Sequence, residues 1–119
     1  MSSSVSNPSK SKGDRWERAL VDFFRSRGYQ DVARLRARGA HDEGDLGGFP
    51  LWVVEAKDDS TMSPWAMAAQ AEAEAANAGK PFGAAFRKSP RRPTEEATVI
   101  MTMATWVRLN NYINQLEKT

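Results

Sequence analysis

A short apolar run from Leu51 to Val54 leads directly into Glu55-Ala56-Lys57. Such a run is typical of a buried strand, where a charged side chain carries a large desolvation cost. Residues two apart on a strand share a face, so the carboxylate of Glu55 and the ammonium group of Lys57 point to the same side. Any fold for this chain must therefore compensate charge at the end of a buried strand.

A second acid, Asp45, lies ten residues before Glu55 in a polar, glycine-rich segment. That segment predicts a hairpin, and two adjacent antiparallel strands would place Asp45 near Glu55. Mg²⁺ prefers oxygen ligands and keeps several waters, so two carboxylates and the carbonyl oxygen of Ala56 suit it. We therefore predict a Mg²⁺ site at Asp45, Glu55 and Ala56, with Lys57 beside a reacting phosphate.

The composition excludes several classes of site. The chain has 119 residues, a length that fits one domain. It has no cysteine, which rules out disulfides, thiolate zinc sites and cysteine nucleophiles. Its single histidine, His41, is assigned no role. Residues 1–12 are rich in serine and are predicted to form a flexible tail before a single domain at 13–119. No apolar run approaches the roughly 20 residues of a membrane span, so we expect a cytoplasmic protein with no membrane partner.

Charge is distributed unevenly along the chain, although the net charge is only +2. Residues 1–40 contain nine basic and four acidic residues, residues 41–79 contain one and eight, and residues 80–119 contain seven and three. An acidic segment between two basic ones is what a cation site within a phosphate-binding surface would require. Ordinary solvated surface charge is the alternative interpretation.

The hydrophobic pattern predicts an α/β domain with a central mixed sheet flanked by helices. Helices are predicted at 13–27, at 64–79 after a Ser63 cap, and at 106–116. Strands are predicted at 29–38, in the hairpin before residue 50, and at 50–57, 82–87 and 98–103. Alternation of Arg34, Arg36 and Arg38 with apolar residues gives the first strand one basic face.

The sequence around these acids resembles the PD-(D/E)XK nuclease superfamily. The matching features are Glu17 on the first helix, Gly44-Asp45, and Val54-Glu55-Ala56-Lys57. The predicted order also matches the α-β-β-β-α-β core of that superfamily over nearly the whole chain. Within it, the segment from Lys12 to Leu20 and the following Arg27-Gly28-Tyr29 are similar to archaeal-type and phage Holliday junction resolvases.

The resemblance implies a restriction-endonuclease-like fold and Mg²⁺-dependent hydrolysis of DNA, with Mn²⁺ as a substitute ion. It implies that Asp45 and Glu55 bind metal and that Lys57 positions or activates water. Glu17 would join the catalytic and metal site from the first helix. Gln70 matches a polar position that some relatives direct at the active site.

Two features of the first acid depart from the superfamily pattern or leave its identity open. The superfamily name implies a proline before this acid, where the chain has Gly44. Asp42 and Glu43 are close enough in the sequence to take the place of Asp45. Asp45 is preferred because it leads into the hairpin strand.

The function expected from the resemblance is that of a Holliday junction resolvase. Such an enzyme nicks two strands symmetrically, so a chain with one site must act as a homodimer. The expected location is the cytoplasm of a prokaryotic or phage-infected cell. The alternatives are a nicking or restriction-like endonuclease, an exonuclease of the same superfamily, and a non-catalytic DNA-binding subunit.

Six basic residues are candidate contacts to the phosphates of branched or duplex DNA: Arg34, Arg36, Arg38, Lys88, Arg91 and Arg92. Exposed basic residues also serve solubility, which is the alternative for all six. Trp65 and Trp106 are expected in the core or at a dimer interface. Met101, Met103 and Tyr112 are further candidates for that interface.

Overall fold

The computed structural model describes residues 8–36, 43–58 and 61–119, which form an α/β domain. Its elements in chain order are α1 (Pro8–Ser26), β1 (Ala33–Arg34), β2 (Leu46–Gly47), β3 (Trp52–Lys57), α2 (Pro64–Asn77), β4 (Phe82–Arg87), a 3₁₀ helix (Thr94–Glu96), β5 (Thr98–Ile100) and α3 (Met103–Glu117). The order of α-helices and strands is the one that the hydrophobic pattern predicts.

The five strands form one mixed sheet in the order β1-β2-β3-β4-β5. β3 and β4 are parallel, and all other neighbours are antiparallel. α2 connects the two parallel strands, as such a crossover requires. The register pairs Trp52 with Phe82 and Lys57 with Arg87, so the carboxyl ends of β3 and β4 lie side by side.

The helices α1 and α2 pack against β3. Trp16 and Leu20 of α1 are buried in one apolar cluster with Val54 of β3. Because successive strand residues point to opposite faces, Val53 and Glu55 lie on the other face. That face packs against α2, which approaches so closely that a Cβ added to Gly83 of β4 would lie 2.3 Å from the Ala71 carbonyl oxygen.

The start of α2 is the one predicted. Ser63 is the N-cap, and its side-chain oxygen accepts a hydrogen bond from the backbone N–H of Ala66 at 3.1 Å. Pro64 occupies the first turn, where its missing N–H is not needed. The small side chains of the alanine-rich helix then allow the close packing on β4.

Two predicted boundaries at the amino-terminal side are wrong. α1 begins at Pro8 and takes in residues 8–12 of the predicted tail, while residues 1–7 lie outside the described part. The strand predicted over 29–38 has only two residues, Ala33 and Arg34. Within it Arg34 binds two acids of α1, Glu17 and Asp14.

The predicted boundary between the last strand and the last helix is also wrong. β5 ends at Ile100, and Thr102 caps α3 by accepting a hydrogen bond from the N–H of Thr105 at 3.1 Å. The apolar run predicted as a strand to residue 103 therefore divides between the two elements. Trp65 and Trp106 are 75% and 50% exposed, so neither belongs to the core of the single chain.

A polar cluster attaches α3 to α2. Glu72 of α2 accepts hydrogen bonds from Thr102, Thr105 and Arg108, each at 3.0 Å. The hydrogen bond from Arg108 is the main reason why the pKa of Glu72 lies below its usual value. Much of the apolar surface of α3 remains exposed beyond this attachment.

No helix in the described part of the chain is both long enough and apolar enough to cross a membrane.

Candidate active site

Glu55 and Lys57 lie on the face of β3 that α2 covers, and an amide links them. Glu55 is only 3% exposed, and its Oε1 accepts a hydrogen bond from Gln70 Nε2 at 2.9 Å. Lys57 Nζ donates to Gln70 Oε1 at 2.8 Å and lies 3.5 Å from Glu55 Oε1. A lysine only donates, so it fixes the orientation of the amide between the two residues. Gln70 therefore holds both side chains in place.

Asp45 contacts β3 from the β2 side, which is the edge of β3 away from β4. Its backbone N–H donates to the carbonyl of Val54 at 2.9 Å, and its Oδ2 accepts from the N–H of Ala56 at 2.8 Å. It stands directly before β2, which pairs antiparallel with β3. The hairpin thus brings Asp45 to Glu55-Ala56-Lys57, as its sequence predicts.

The backbone of Ala56 faces Asp45 and not β4. The carbonyl of Lys57 accepts from Lys88 N at 2.9 Å on the β4 side. Successive residues of a strand direct their backbone groups to opposite neighbours, so those of Ala56 point to the β2 side. The Ala56 carbonyl oxygen therefore lies on the edge where the Asp45 carboxylate binds the Ala56 N–H.

The residue before Asp45 has a conformation that explains its identity. Gly44 has φ of +98°, and a Cβ added there would lie 2.7 Å from the Val54 carbonyl oxygen. Proline is restricted to φ near −65°, so it cannot take this position. A residue that tolerates positive φ is therefore required here, where the superfamily that the sequence resembles has a proline.

Glu74 is a site residue that the sequence interpretation missed. Its carboxyl group lies near enough to that of Glu55 to raise the pKa of Glu55, and Glu55 Oε2 and Glu74 Oε1 are both buried with no donor. Glu74 lies four residues after Gln70 on α2, hence on the same helix face. The four-residue spacing from Gln70 could have indicated Glu74 from the sequence. Whether Glu74 faces Glu55 depends on how α2 is rotated about its axis, which the sequence pattern does not give.

The electrostatics of this pair favour an uncharged Glu55. Burial, then the nearby charge of Asp45 and the contact with Glu74, raises the pKa of Glu55 to about 9, while Lys57 opposes the rise. Without a cation Glu55 therefore keeps its proton at neutral pH, and that proton can be donated to a neighbouring oxygen. A cation that displaced the proton would satisfy Glu55 in the same way.

Glu17 lies at the border of this site. Its Oε1 accepts a hydrogen bond from Arg34 Nε at 2.9 Å, and Arg34 also binds Asp14 at 2.8 Å. Burial raises the pKa of Glu17, the hydrogen bond from Arg34 lowers it, and the charge of Asp45 raises it further. Glu17 is therefore close enough to sense Asp45, but Arg34 occupies one of its oxygens.

The donor set fits a hard divalent cation. Within residues 8–36, 43–58 and 61–119, no group of three or more His, Cys, Asp or Glu side chains is arranged to hold a metal ion. Asp45, Glu55 and the Ala56 carbonyl instead offer two carboxylates and one backbone oxygen, which is enough for an ion that keeps its waters. The buried Glu55 Oε2, which has no donor, is the observation that favours such an ion.

The remaining predicted residues are placed as follows. Glu43 is exposed, and Asp42, His41 and Arg38 lie outside the described residues. Arg36 is exposed, whereas Arg34 is held by Glu17 and Asp14. The remaining basic candidates, Lys88, Arg91 and Arg92, lie on the loop after β4 and line cavities beside α1.

Comparison of the chain with models of protein families, with curated proteins and with solved structures finds no match. A functional assignment therefore rests on the geometry of the site and on its chemistry.

Proposed function

We propose that this protein is a Mg²⁺-dependent DNA endonuclease of the PD-(D/E)XK type that cuts four-way junctions as a homodimer. The observation that carries the proposal is the convergence of Asp45, Glu55 and Lys57 on the end of β3, where Glu55 has a buried oxygen without a donor. The order α1-β1-β2-β3-α2-β4 agrees with the core of that superfamily. A restriction-endonuclease-like fold is part of the proposal.

Asp45, Glu55 and the Ala56 carbonyl would hold the metal ion. When bound, Mg²⁺ or Mn²⁺ supplies positive charge to the phosphate oxygens and increases the acidity of water. Asp45 is preorganised for this role because the Ala56 N–H fixes its carboxylate. Glu55 must release its proton to take part, so metal binding and deprotonation are linked at this residue.

Lys57 and Gln70 would act on the water and the phosphate. The ammonium group of Lys57 orients the attacking water and stabilises the negative charge that builds on the phosphate. Its hydrogen bond to Gln70 restricts the lysine side chain to the neighbourhood of Glu55. Gln70 is therefore a positioning residue that acts through Lys57.

Glu17, on α1, would add negative charge near Asp45 and so favour a bound cation. Its ion pair with Arg34 couples α1 to β1 beside Asp45. Release of Arg34 would free a third carboxylate for the metal.

The homodimer would form through β5 and α3. Large apolar side chains remain exposed there: Val99, Met103, Trp106, Val107, Ile113 and Leu116. An adjoining groove of about 630 Å³ is lined by apolar residues that include Leu51, Trp52 and Met101. A contiguous apolar surface of this kind is typical of a protein–protein interface. Two-fold pairing would supply the two active sites that symmetric nicking of a junction needs.

Other substrates of the same superfamily stay open as alternatives, because loops and dimer geometry select the DNA shape. The presence of both acids and the lysine argues against a non-catalytic DNA-binding subunit.

The test is to incubate the protein and Mg²⁺ with labelled four-way junction, duplex, nicked, flap and single-stranded DNA. We expect paired nicks in the junction and little cleavage of duplex. Equal cleavage of duplex would contradict junction resolution, and no cleavage of any substrate would contradict the enzyme.

A further inference from the structure

A basic cleft lies between the first half of α1 and the loop that follows β4. Two cavities of about 370 and 550 Å³ form it, and Lys12, Asp58, Lys88 and Pro90 line both. The other charged side chains that line it are Arg15, Arg87, Arg91 and Arg92. The cleft thus presents six cationic groups and one carboxylate, a composition suited to a polyanion.

The cleft adjoins the candidate active site. Asp58 follows Lys57 directly in the chain, and Arg87 is the register partner of Lys57 on β4. The N–H of Lys88 donates to the Lys57 carbonyl at 2.9 Å. The cleft therefore lies at the carboxyl end of β3 on the α1 side of the sheet, whereas the Lys57 side chain lies on the α2 side.

Most of its cations are not neutralised within the described residues. Arg15, Arg87, Lys88 and Arg91 make no ion pair there, and Lys12 makes only a long contact of 3.8 Å with the one carboxylate, Asp58. Arg92 pairs with Glu96 at 2.8 Å on the exposed side of the loop. Like charges that line one cavity repel each other, and an anionic partner would relieve that repulsion.

Arg34, the one basic residue of β1, differs from those of the cleft. Arg34 binds both Glu17 and Asp14 at under 3 Å, so its charge is already satisfied. Of the candidates for phosphate contact within the described residues, Arg34 is the one whose charge is already paired with two acids. The alternation of arginines along the sequence does not reveal this difference.

The loop on one side of the cleft is held in place. Ser89 Oγ donates to the Glu96 carbonyl at 2.7 Å, and Arg92 N donates to the Ser89 carbonyl at 3.2 Å. Arg91 has φ of +59°, a left-handed conformation that arginine seldom adopts. A loop whose backbone is fixed in this way lowers the backbone part of the ordering cost on binding.

We propose that this cleft binds the sugar-phosphate backbone of the DNA and leads one strand past the carboxyl end of β3. Lys12 and Arg15 of α1 form one wall, and Lys88 and Arg91 of the loop form the other. The inference rests on the proposed function for the identity of the partner. It adds residues of α1 and β4 to the DNA-binding surface and removes Arg34 from it.

The test compares two arginines one turn apart on α1. Arg15 lines the cleft, whereas Arg18 is exposed, makes no ion pair among the described residues and lines neither cavity. Arg15→Ala, Arg18→Ala and Arg91→Gly are made in the full chain, and glycine is chosen at 91 because it tolerates the positive φ. Circular dichroism confirms that each variant is folded. Binding of labelled four-way junction and duplex is measured by fluorescence anisotropy in EDTA, where no metal-dependent cleavage occurs.

We expect Arg15→Ala and Arg91→Gly each to weaken binding about 5- to 10-fold and to reduce the slope of log affinity against log salt by about 0.9, which corresponds to one phosphate contact. Arg18→Ala should bind within about two-fold of wild type on the same scale. Equal losses in Arg15→Ala and Arg18→Ala would overturn the proposal. Competition by polyglutamate as strong as that by DNA would also overturn it, because the cleft would then lack preference for phosphates.

The outcome is independent of catalysis. Binding through the cleft by a protein that cuts no DNA would support the cleft and contradict the proposed enzyme. Cleavage that is unaffected by loss of Arg15 and Arg91, with unchanged binding, would support the enzyme and overturn the cleft.

Discussion

The carboxyl groups of Glu55 and Glu74 meet between β3 and α2, and each keeps one buried oxygen without a hydrogen-bond donor. Two carboxylates in contact are stable only with a proton or a cation between them. This relationship links the stability of the protein to pH and to divalent metal, and it can be tested without DNA.

Metal-free protein should lose stability as the pH rises from about 5 to about 9. The folded state raises the pKa of Glu55 to about 9 from its usual value of 4.5, so in this window the native state holds a proton that the unfolded state has released. Its contribution to stability is fully present below the unfolded pKa and disappears as the pH approaches the folded pKa. Thermal unfolding in EDTA measures the effect, and Glu55→Gln should flatten the profile.

The matched control for this profile is Glu117→Gln. Glu117 is exposed at the end of α3, so its replacement should leave the pH dependence of wild type unchanged. Parallel profiles for wild type and Glu55→Gln would contradict a raised pKa at Glu55.

Glu74→Gln should stabilise the metal-free protein at about pH 8, by roughly 1 kcal/mol. The amide removes the like charge and can donate to the Glu55 oxygen that has no donor. Urea unfolding at this pH measures the change. Glu72→Gln is the comparison on the same helix, and it should destabilise because Glu72 binds Arg108 and two threonines. A Glu74→Gln variant less stable than wild type would argue against the carboxyl contact.

Gln70→Ala should slow cleavage of bound DNA about 10- to 100-fold with little change in DNA affinity. Removing the amide frees Lys57 from the contact that holds it beside Glu55. Single-turnover rates under saturating protein separate the chemical step from binding, and affinity is measured in EDTA. Asn77→Ala, at the exposed end of α2, serves as the control. A variant that loses affinity in proportion to rate would show that Gln70 has no positioning role.

Trp106→Glu should convert the proposed homodimer to a monomer. Trp106 is half exposed within the apolar surface of α3, and a buried carboxylate there would oppose association. Analytical ultracentrifugation at micromolar concentration gives the mass. Trp65→Glu is the matched control, since Trp65 is also exposed but lies on α2. A wild-type protein that is monomeric under these conditions would contradict the dimer directly.

Local features of the sequence predict the strand and the helix that carry the site. The apolar run before Glu55 gives β3, Ser63-Pro64 gives the start of α2, and the glycine-rich hairpin brings Asp45 to β3. Each of these depends on contacts between residues close in the chain, so pattern and turn chemistry are enough.

The features that could not be predicted depend on how elements pack. The contact between Glu55 and Glu74 follows from the rotation of α2 on the sheet, which no local pattern specifies. β1 has only two residues, and Arg34 pairs with Glu17 across 17 residues of the chain. Alternating residues indicate a strand, but they do not show which of its side chains form ion pairs with residues distant in the chain.

Mg²⁺-dependent cleavage of a labelled four-way junction by wild type and by Asp45→Asn tests the central claim most directly. Asparagine keeps the size of the side chain and an acceptor for the Ala56 N–H, while it removes the charge that the metal needs. We expect wild type to cut with Mg²⁺ or Mn²⁺ and not in EDTA, and Asp45→Asn to bind the junction with cleavage reduced at least ~100-fold. Undiminished cleavage by Asp45→Asn, or wild-type cleavage that persists in EDTA, would contradict the account.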